Sequence, residues 1–250
     1  MLYGDALRRA ARTPYPLASV TVAPLVTLWF LCQLFGLLPH ALHTFPVDSY
    51  LEFVAPALAV ASGVPFAIWC GMAVGRDADT RVLDQVLSTP VPRLYIAMAT
   101  LLAAATAAAC SALLVSTVAL AAGATIASGF RGLLGVVGLA AALGVIYAGM
   151  AWIITALIPG RRVAGAILGA LLLCTLLGSD LLLPNGLLPL WLRLLANANP
   201  LTVAIDGARA VTWDHVDWGR WERGLLVLLA PAIAAAIGAA VLPRPLRAGP

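Results

Sequence analysis

The chain has 250 residues, of which 62% are hydrophobic and only 10% charged, and it carries a formal net charge of +4. Soluble domains hold about 25% charged residues, so this composition leaves almost no material for a folded soluble domain. The basic residues lie scattered between apolar stretches and make no continuous basic face, which excludes a nucleic-acid-binding surface as the reading of the positive charge.

Charged residues are absent from 13–47, 53–75, 94–130, 132–160, 163–179 and 224–243. Each stretch is about long enough to cross ~30 Å of hydrocarbon as a helix rising ~1.5 Å per residue. A charge at the bilayer centre costs roughly 2.5–3.5 kcal/mol on insertion scales, which explains why acids and arginines are kept in islands. The expected fold is therefore an all-α integral membrane protein, one domain over residues 1–250 with six transmembrane helices.

In chain order, residues 1–14 place Tyr3, Leu7, Ala10 and Ala11 on one helical face and Asp5, Arg8, Arg9 and Arg12 on the other. That pattern predicts a basic amphipathic helix lying in the headgroup layer. The first span is expected at about 17–38, carrying Pro24 as a possible kink, and the second at about 53–75, with Pro56 and Pro65 inside it. The first apolar run lacks a cleavage site of the small-residue type, so no cleavable leader is expected.

Between spans two and three, Asp77, Asp79 or Thr80 can cap a short helix. Val82, Leu83, Val86 and Leu87 give that helix an apolar stripe, and Pro90 and Pro92 stop it. Spans three and four are expected at about 95–122 and 132–157, span five at about 163–183 and span six at about 224–242. The mostly apolar run 194–205 is too short to cross and predicts a re-entrant or interfacial segment on the outer side.

The distribution of arginine sets the expected orientation. With both termini cytoplasmic, the inner segments hold Arg8, Arg9, Arg12, Arg76, Arg81, Arg93, Arg161, Arg162, Arg244 and Arg247. The outer segments then hold Arg131 and, in one long loop, Arg193, Arg209, Arg220 and Arg223. Glycines at 71 and 75, at 165 and 169, and at 132, 135 and 138 fit close helix packing within the bundle or against a second protomer.

Sites for chemistry are few. The chain contains no Lys, so these residues cannot include a P-loop, whose lysine reaches the β- and γ-phosphates. If ATP drives the protein, a different molecule hydrolyses it. The span interiors lack the acids and histidines of an ion-coupled carrier. Cys32, Cys70, Cys110 and Cys174 have no metal-ligand spacing and read as small buried apolar residues. His40 and His43, with Asp48, read as solvated loop residues. The cluster Asp206, Arg209, Asp214, His215, Asp217 and Arg220, set among Trp213, Trp218 and Trp221, reads as paired charges in an outer aromatic belt. No catalytic or metal-ligating residue is assigned.

The segment from Gly75 to Arg93, with its acidic and threonine-containing start, its leucine-rich turn and its Thr89-Pro90-Val91-Pro92-Arg93 end, resembles the cytoplasmic loop of ABC-2-type export permeases. Asn199-Pro200-Leu201-Thr202, followed by Asp206 and Arg209, is similar to the segment that precedes the last span in that family. Span count, order and loop lengths agree along the chain, and the daunorubicin-resistance-like drug and lipid exporters are the most similar subgroup. Asp77 and Asp79 stand where many members carry glutamate.

The resemblance implies a non-enzymatic permease subunit that works by alternating access, paired with a second identical or related permease and with two separate ABC ATPase subunits. ATP and magnesium would bind those partners, and this chain would need no cofactor. It implies that 77–88 is a coupling helix seated on the ATPase through Asp77, Asp79, Arg81, Leu83, Asp84 and Leu87, with 1–14 as a connecting helix. It implies that Asn199, Pro200, Asp206 and Arg209 belong to a re-entrant cap over the exit, and that spans two and five line a path at the dimer interface. Residence in the plasma (inner) membrane and a hydrophobic or amphipathic drug or lipid as cargo complete the expectation. The alternatives are a six-span scaffold without transport and a lipid-handling membrane enzyme.

Overall fold

A computed structural model describes residues 18–41, 45–79, 93–158 and 160–241, and among these the chain is helical without strands. The helices are α1 (Val22–Phe35), α2 (Leu38–Ala41), α3 (Tyr50–Ala61), α4 (Val64–Asp79), α5 (Arg93–Ala121), α6 (Gly129–Leu157), α7 (Arg161–Leu177), α8 (Leu190–Ala198), α9 (Pro200–Thr212) and α10 (Trp218–Val241). The all-α membrane fold expected from the charge pattern is the fold observed.

Five helical stretches have the length and hydropathy of membrane spans: Ala18–Ala41, Tyr50–Ala73, Tyr95–Ala121, Gly129–Leu157 and Trp218–Ala239. They match expected spans one, two, three, four and six. The fifth expected span, 163–183, differs. Its helix, α7, stops at Leu177 after 17 residues, about 25 Å of rise, and the chain from 178 to 184 is bent and non-helical.

Two prolines stand at helix starts. Pro24 lies in the first turn of α1, and the span Ala18–Ala41 is interrupted just before it, at Thr21, which is where a proline that cannot bond back to the preceding turn allows a break. Pro65 stands at the second position of α4, and the second span is interrupted between α3 and α4, at Ser62 and Gly63. Proline has no amide hydrogen to donate to the carbonyl four residues before it, so the span is built as two helices end to end. The break also serves packing. A Cβ on Gly63 would overlap the Cα of Ala108 in α5, so the interruption meets the neighbouring helix backbone to backbone.

The second span is the centre of the bundle: 89% of its apolar window is buried inside the chain. It is surrounded by α5, α6, α9 and α1, with Phe53, Val54, Ala57, Val60, Val64 and Ala67 at 1% exposure or less. This corrects the expectation that it lines a path at a dimer interface, because its own chain covers it on nearly every side. Alanines such as Ala104, Ala112, Ala140, Ala148 and Ala151 fill the contacts between helices, while Trp29, Phe30, Leu34, Leu173, Leu226 and Ile237 point outward. That arrangement suits lipid, which gives large apolar side chains no reason to turn inward and favours small ones where backbones approach.

The glycine patterns divide in the same way. Gly71 sits against Ala148, Ala151 and Trp152 of α6, whereas Gly138 and Gly169 face no atom of the chain within 4 Å. Gly71→Leu is expected to lower stability by about 1–3 kcal/mol or more through overpacking. Gly169→Leu should leave the thermal unfolding midpoint in nanodiscs unchanged. None of the four cysteines is in a disulfide, and only Cys70 is buried; Cys110 and Cys174 are exposed on the bundle surface, which corrects their reading as uniformly buried residues.

Candidate functional site

Asp79 and Arg93, the described residues that flank the expected 77–88 segment, fall at the end of the bundle opposite the outer segment. The end of α5 approaches the start of α3, where the Thr125 hydroxyl donates to the Glu52 carboxylate at 2.8 Å. With 29 residues, α5 rises about 43 Å, which carries Arg93 to the far end. Asp77 and Asp79, expected at the cap of a separate helix, instead belong to the last turn of α4, which runs straight on from the second span. No proline lies between 66 and 79, so the helix continues out of the apolar zone. Arg81, Leu83, Asp84 and Leu87, like the amphipathic 1–14, lie outside the described residues.

The outer segment is fully described, and it brings together residues far apart in sequence. Asn199 breaks the apolar run 194–205 into two helices. Its Oδ1 accepts from the Leu201 amide at 3.0 Å, capping α9, and Pro200 takes the first helical position, for which its fixed φ is suited. The Asn199 Nδ2 group donates to the carbonyls of Thr175 at 2.8 Å and Gly178 at 3.2 Å. These carbonyls belong to the end of α7, where the last turn has no helical partners. One amide side chain thus caps the start of one helix and the end of another.

Arg209, one turn before the end of α9, completes the arrangement. Its Nη1 meets the Asp180 Oδ2 at 2.6 Å, and its Nη2 donates to the Asp180 carbonyl at 3.0 Å. The guanidinium carbon lies 3.9 Å from the centre of the Phe53 ring, with Trp213 on a further side at 5.7 Å. Arg209 is 5% exposed and Asp180 2%, so this is an interior ion pair; it replaces the expected surface belt at Arg209. Tyr50 adds a hydroxyl donated to the Leu182 carbonyl at 3.1 Å, and the Trp213 indole donates to the Glu52 carbonyl at 3.2 Å.

These contacts explain why α7 can stop early. A backbone that leaves the helix within an apolar stretch exposes carbonyls that hydrocarbon cannot satisfy. Here Asn199, Arg209 and Tyr50 supply donors to Thr175, Gly178, Asp180 and Leu182. The segment between α7 and α10 returns into the bundle as α9, which packs on α3, α6 and α10. Meanwhile α8 keeps Leu190, Trp191, Leu194 and Leu195 exposed. That is the re-entrant form expected.

The rest of the polar cluster does not join this site. Asp214 and His215 are exposed on the turn after α9. Asp217 caps α10 by accepting from the Arg220 amide at 2.9 Å and pairs loosely with the exposed Arg220 side chain at 3.7 Å. Because of that cap, α10 begins at Trp218, earlier than the expected start at 224. Tyr50, Phe53 and Asp180 were not singled out as site residues from sequence. The available signal was a lone acid at the end of an apolar stretch, with an arginine in a second segment too apolar for a solvated loop.

A family model described as ABC-2 type transporter matches residues 2–213. No curated protein matches the chain.

Proposed function

Since this chain belongs to the ABC-2 type transporter family and is a membrane permease of that class, we propose that it exports a hydrophobic or amphipathic drug or lipid, driven by a separate ABC ATPase. The observation that carries this reading is the family match across most of the chain together with the absence of lysine. A permease whose residues cannot build a P-loop needs a partner to turn over ATP. Two copies, or this chain with a related permease, work by alternating access in the plasma membrane with both termini cytoplasmic. The arginine bias of the inner segments supports that orientation.

In this reading the connection between α4 and α5 is the ATPase contact, and Asp77, Asp79, Arg81, Leu83, Asp84 and Leu87 carry it. The far-end position of Asp79 and Arg93, away from the re-entrant segment, fits that role. Charge-free spans suit apolar cargo. The open face of α7 at Gly169 gives a second permease a small-residue surface. The buried second span leaves the path to the outer helices.

The test is Leu83→Asp in the permease co-expressed with its ATPase. Placing an unpaired carboxylate in an apolar groove costs at least a few kcal/mol, so the ATPase should co-purify at least about tenfold less, and export should fall with it while membrane insertion is unchanged. Export and ATPase recovery that both survive would remove the coupling assignment. Stimulation of the ATPase in nanodiscs by candidate lipids and drugs then identifies the cargo class.

A further inference from the structure

We propose that Asp180, Asp206 and Arg209 form a binding site for one exchangeable proton at the outer end of the bundle, held between the two carboxyl groups. The geometry carries this. The Asp180 carboxylate is buried, and its Oδ2 is taken by Arg209 at 2.6 Å. Its Oδ1, equally buried, has no hydrogen-bond partner among the described residues. A buried acceptor left open is costly, so a donor is wanted at that atom.

Asp206 stands three residues before Arg209 on α9, on the neighbouring helical position, which puts its carboxyl on the side of the helix that holds Asp180 through Arg209, and the charge of Asp180 acts on it. Two ionised carboxylates and one guanidinium leave an excess negative charge beside Asp180 and Arg209, which are both buried. One proton on Asp206 removes that charge and provides an O–H that donates to the open Asp180 oxygen. The groups that face Asp206 are Asp180 from the chain after α7, Arg209 on α9 and Arg220 on α10, and Tyr50 on α3 faces Arg209.

Asp206 keeps part of its side chain open at the surface, which gives the proton a route in and out. Lost hydration first, and the like charge of Asp180 second, push its pKa up to about 6. When the proton leaves, Asp206 is repelled from Asp180 and drawn toward Arg220, while Arg209 stays with Asp180. The re-entrant helix α9 therefore senses the acidity of the outer face. This inference needs no particular cargo and does not depend on the ATPase assignment.

The sign of the pH effect follows from linkage. A carboxyl whose folded pKa lies above its unfolded value near 3.9 binds more protons in the folded state, so its stabilising contribution is present at acid pH and is lost as pH rises through about 6. The test uses the full chain in nanodiscs, with infrared difference spectra recorded between pH 4 and pH 8. A carboxylic-acid carbonyl band should appear in the wild type as pH falls through about 6. It should be missing in Asp206→Asn and retained in Asp214→Asn, which changes an exposed acid on the next turn. The melting temperature of the wild type should fall relative to Asp206→Asn as pH rises from 4 to 7, since the asparagine amide donates permanently to Asp180. A band that persists in Asp206→Asn, or a melting difference that does not change with pH, would overturn the proposal. So would protection of the wild type at pH 7 by sodium or calcium that Asp206→Asn lacks, which would make the site one for a metal cation.

Discussion

Arg209→Ala is expected to destabilise the protein by about 3–5 kcal/mol, the loss that follows when one partner of a buried ion pair is removed. The substitution leaves Asp180, 2% exposed, charged and unpaired, and it withdraws the donor from the Asp180 carbonyl. It also removes the cation stacked 3.9 Å from the Phe53 ring, an interaction worth about 0.5–2 kcal/mol by itself. Thermal unfolding in nanodiscs, followed by tryptophan fluorescence, should show the drop. Trp213, beside the guanidinium, should report an altered environment even where the protein stays folded.

The double substitution Asp180→Leu with Arg209→Met separates the ion pair from the site's other duties. If the pair contributes only charge balance, apolar residues of similar volume should recover most of the lost stability. Incomplete recovery is expected here, because the Asp180 carbonyl would still lack its donor in an apolar setting. Full recovery would show that the hydrogen bond from Arg209 to the backbone contributes little.

Asn199→Ala should cost about 2–4 kcal/mol. Loss of an N-cap accounts for roughly 0.5–2 kcal/mol, and the buried carbonyls of Thr175 and Gly178, both served by Nδ2, add about 1–3 kcal/mol when left without a donor. Asn199→Asp provides the discriminating comparison. A carboxylate caps α9 as well as an amide does but donates nothing to the end of α7. Asn199→Asp should therefore fall between wild type and Asn199→Ala, or below both if repulsion from the two carbonyls dominates. A variant equal to wild type in unfolding midpoint would mean that the link to α7 carries no stability. Protease sensitivity of the 178–184 segment is the local readout, and it should rise in both variants.

The membrane fold was legible because its cause is local. Charge cannot sit in hydrocarbon, so the gaps between charges mark the spans wherever a helix simply crosses, as α5 and α6 do within a few residues of expectation. Misreadings arose where a contact from elsewhere in the chain changes what the local pattern allows. The stretch 163–183 is apolar enough for a full span, but its last residues are drawn out of the helix by Asn199, Arg209 and Tyr50. Likewise, α10 gains an extra turn of charged residues because Asp217 caps it. The charged run after Ala73 extends α4 to Asp79, since solvation permits a helix to continue past the point where hydrophobicity ends.

The candidate site divides along the same line. Asn199, Pro200, Asp206 and Arg209 were visible as residues, and the Asn-Pro pair as a helix start, because capping chemistry operates over three or four positions. Their partners were not visible. Asp180 lies 29 residues before Arg209, Leu182 lies 132 after Tyr50, and Trp213 lies 161 after Glu52.

From the amino-acid order alone came the membrane location, the approximate spans, the lack of a P-loop and the re-entrant character of the outer segment, all consequences of solvation or short-range helix geometry. Tertiary structure alone decided that the second span is central and that Arg209 is buried on Phe53. It also decided that a non-helical stretch after α7 is tolerated. Each of these depends on which helices pack together, and burial turns a charge or a free carbonyl from harmless into costly only once its neighbours have excluded water.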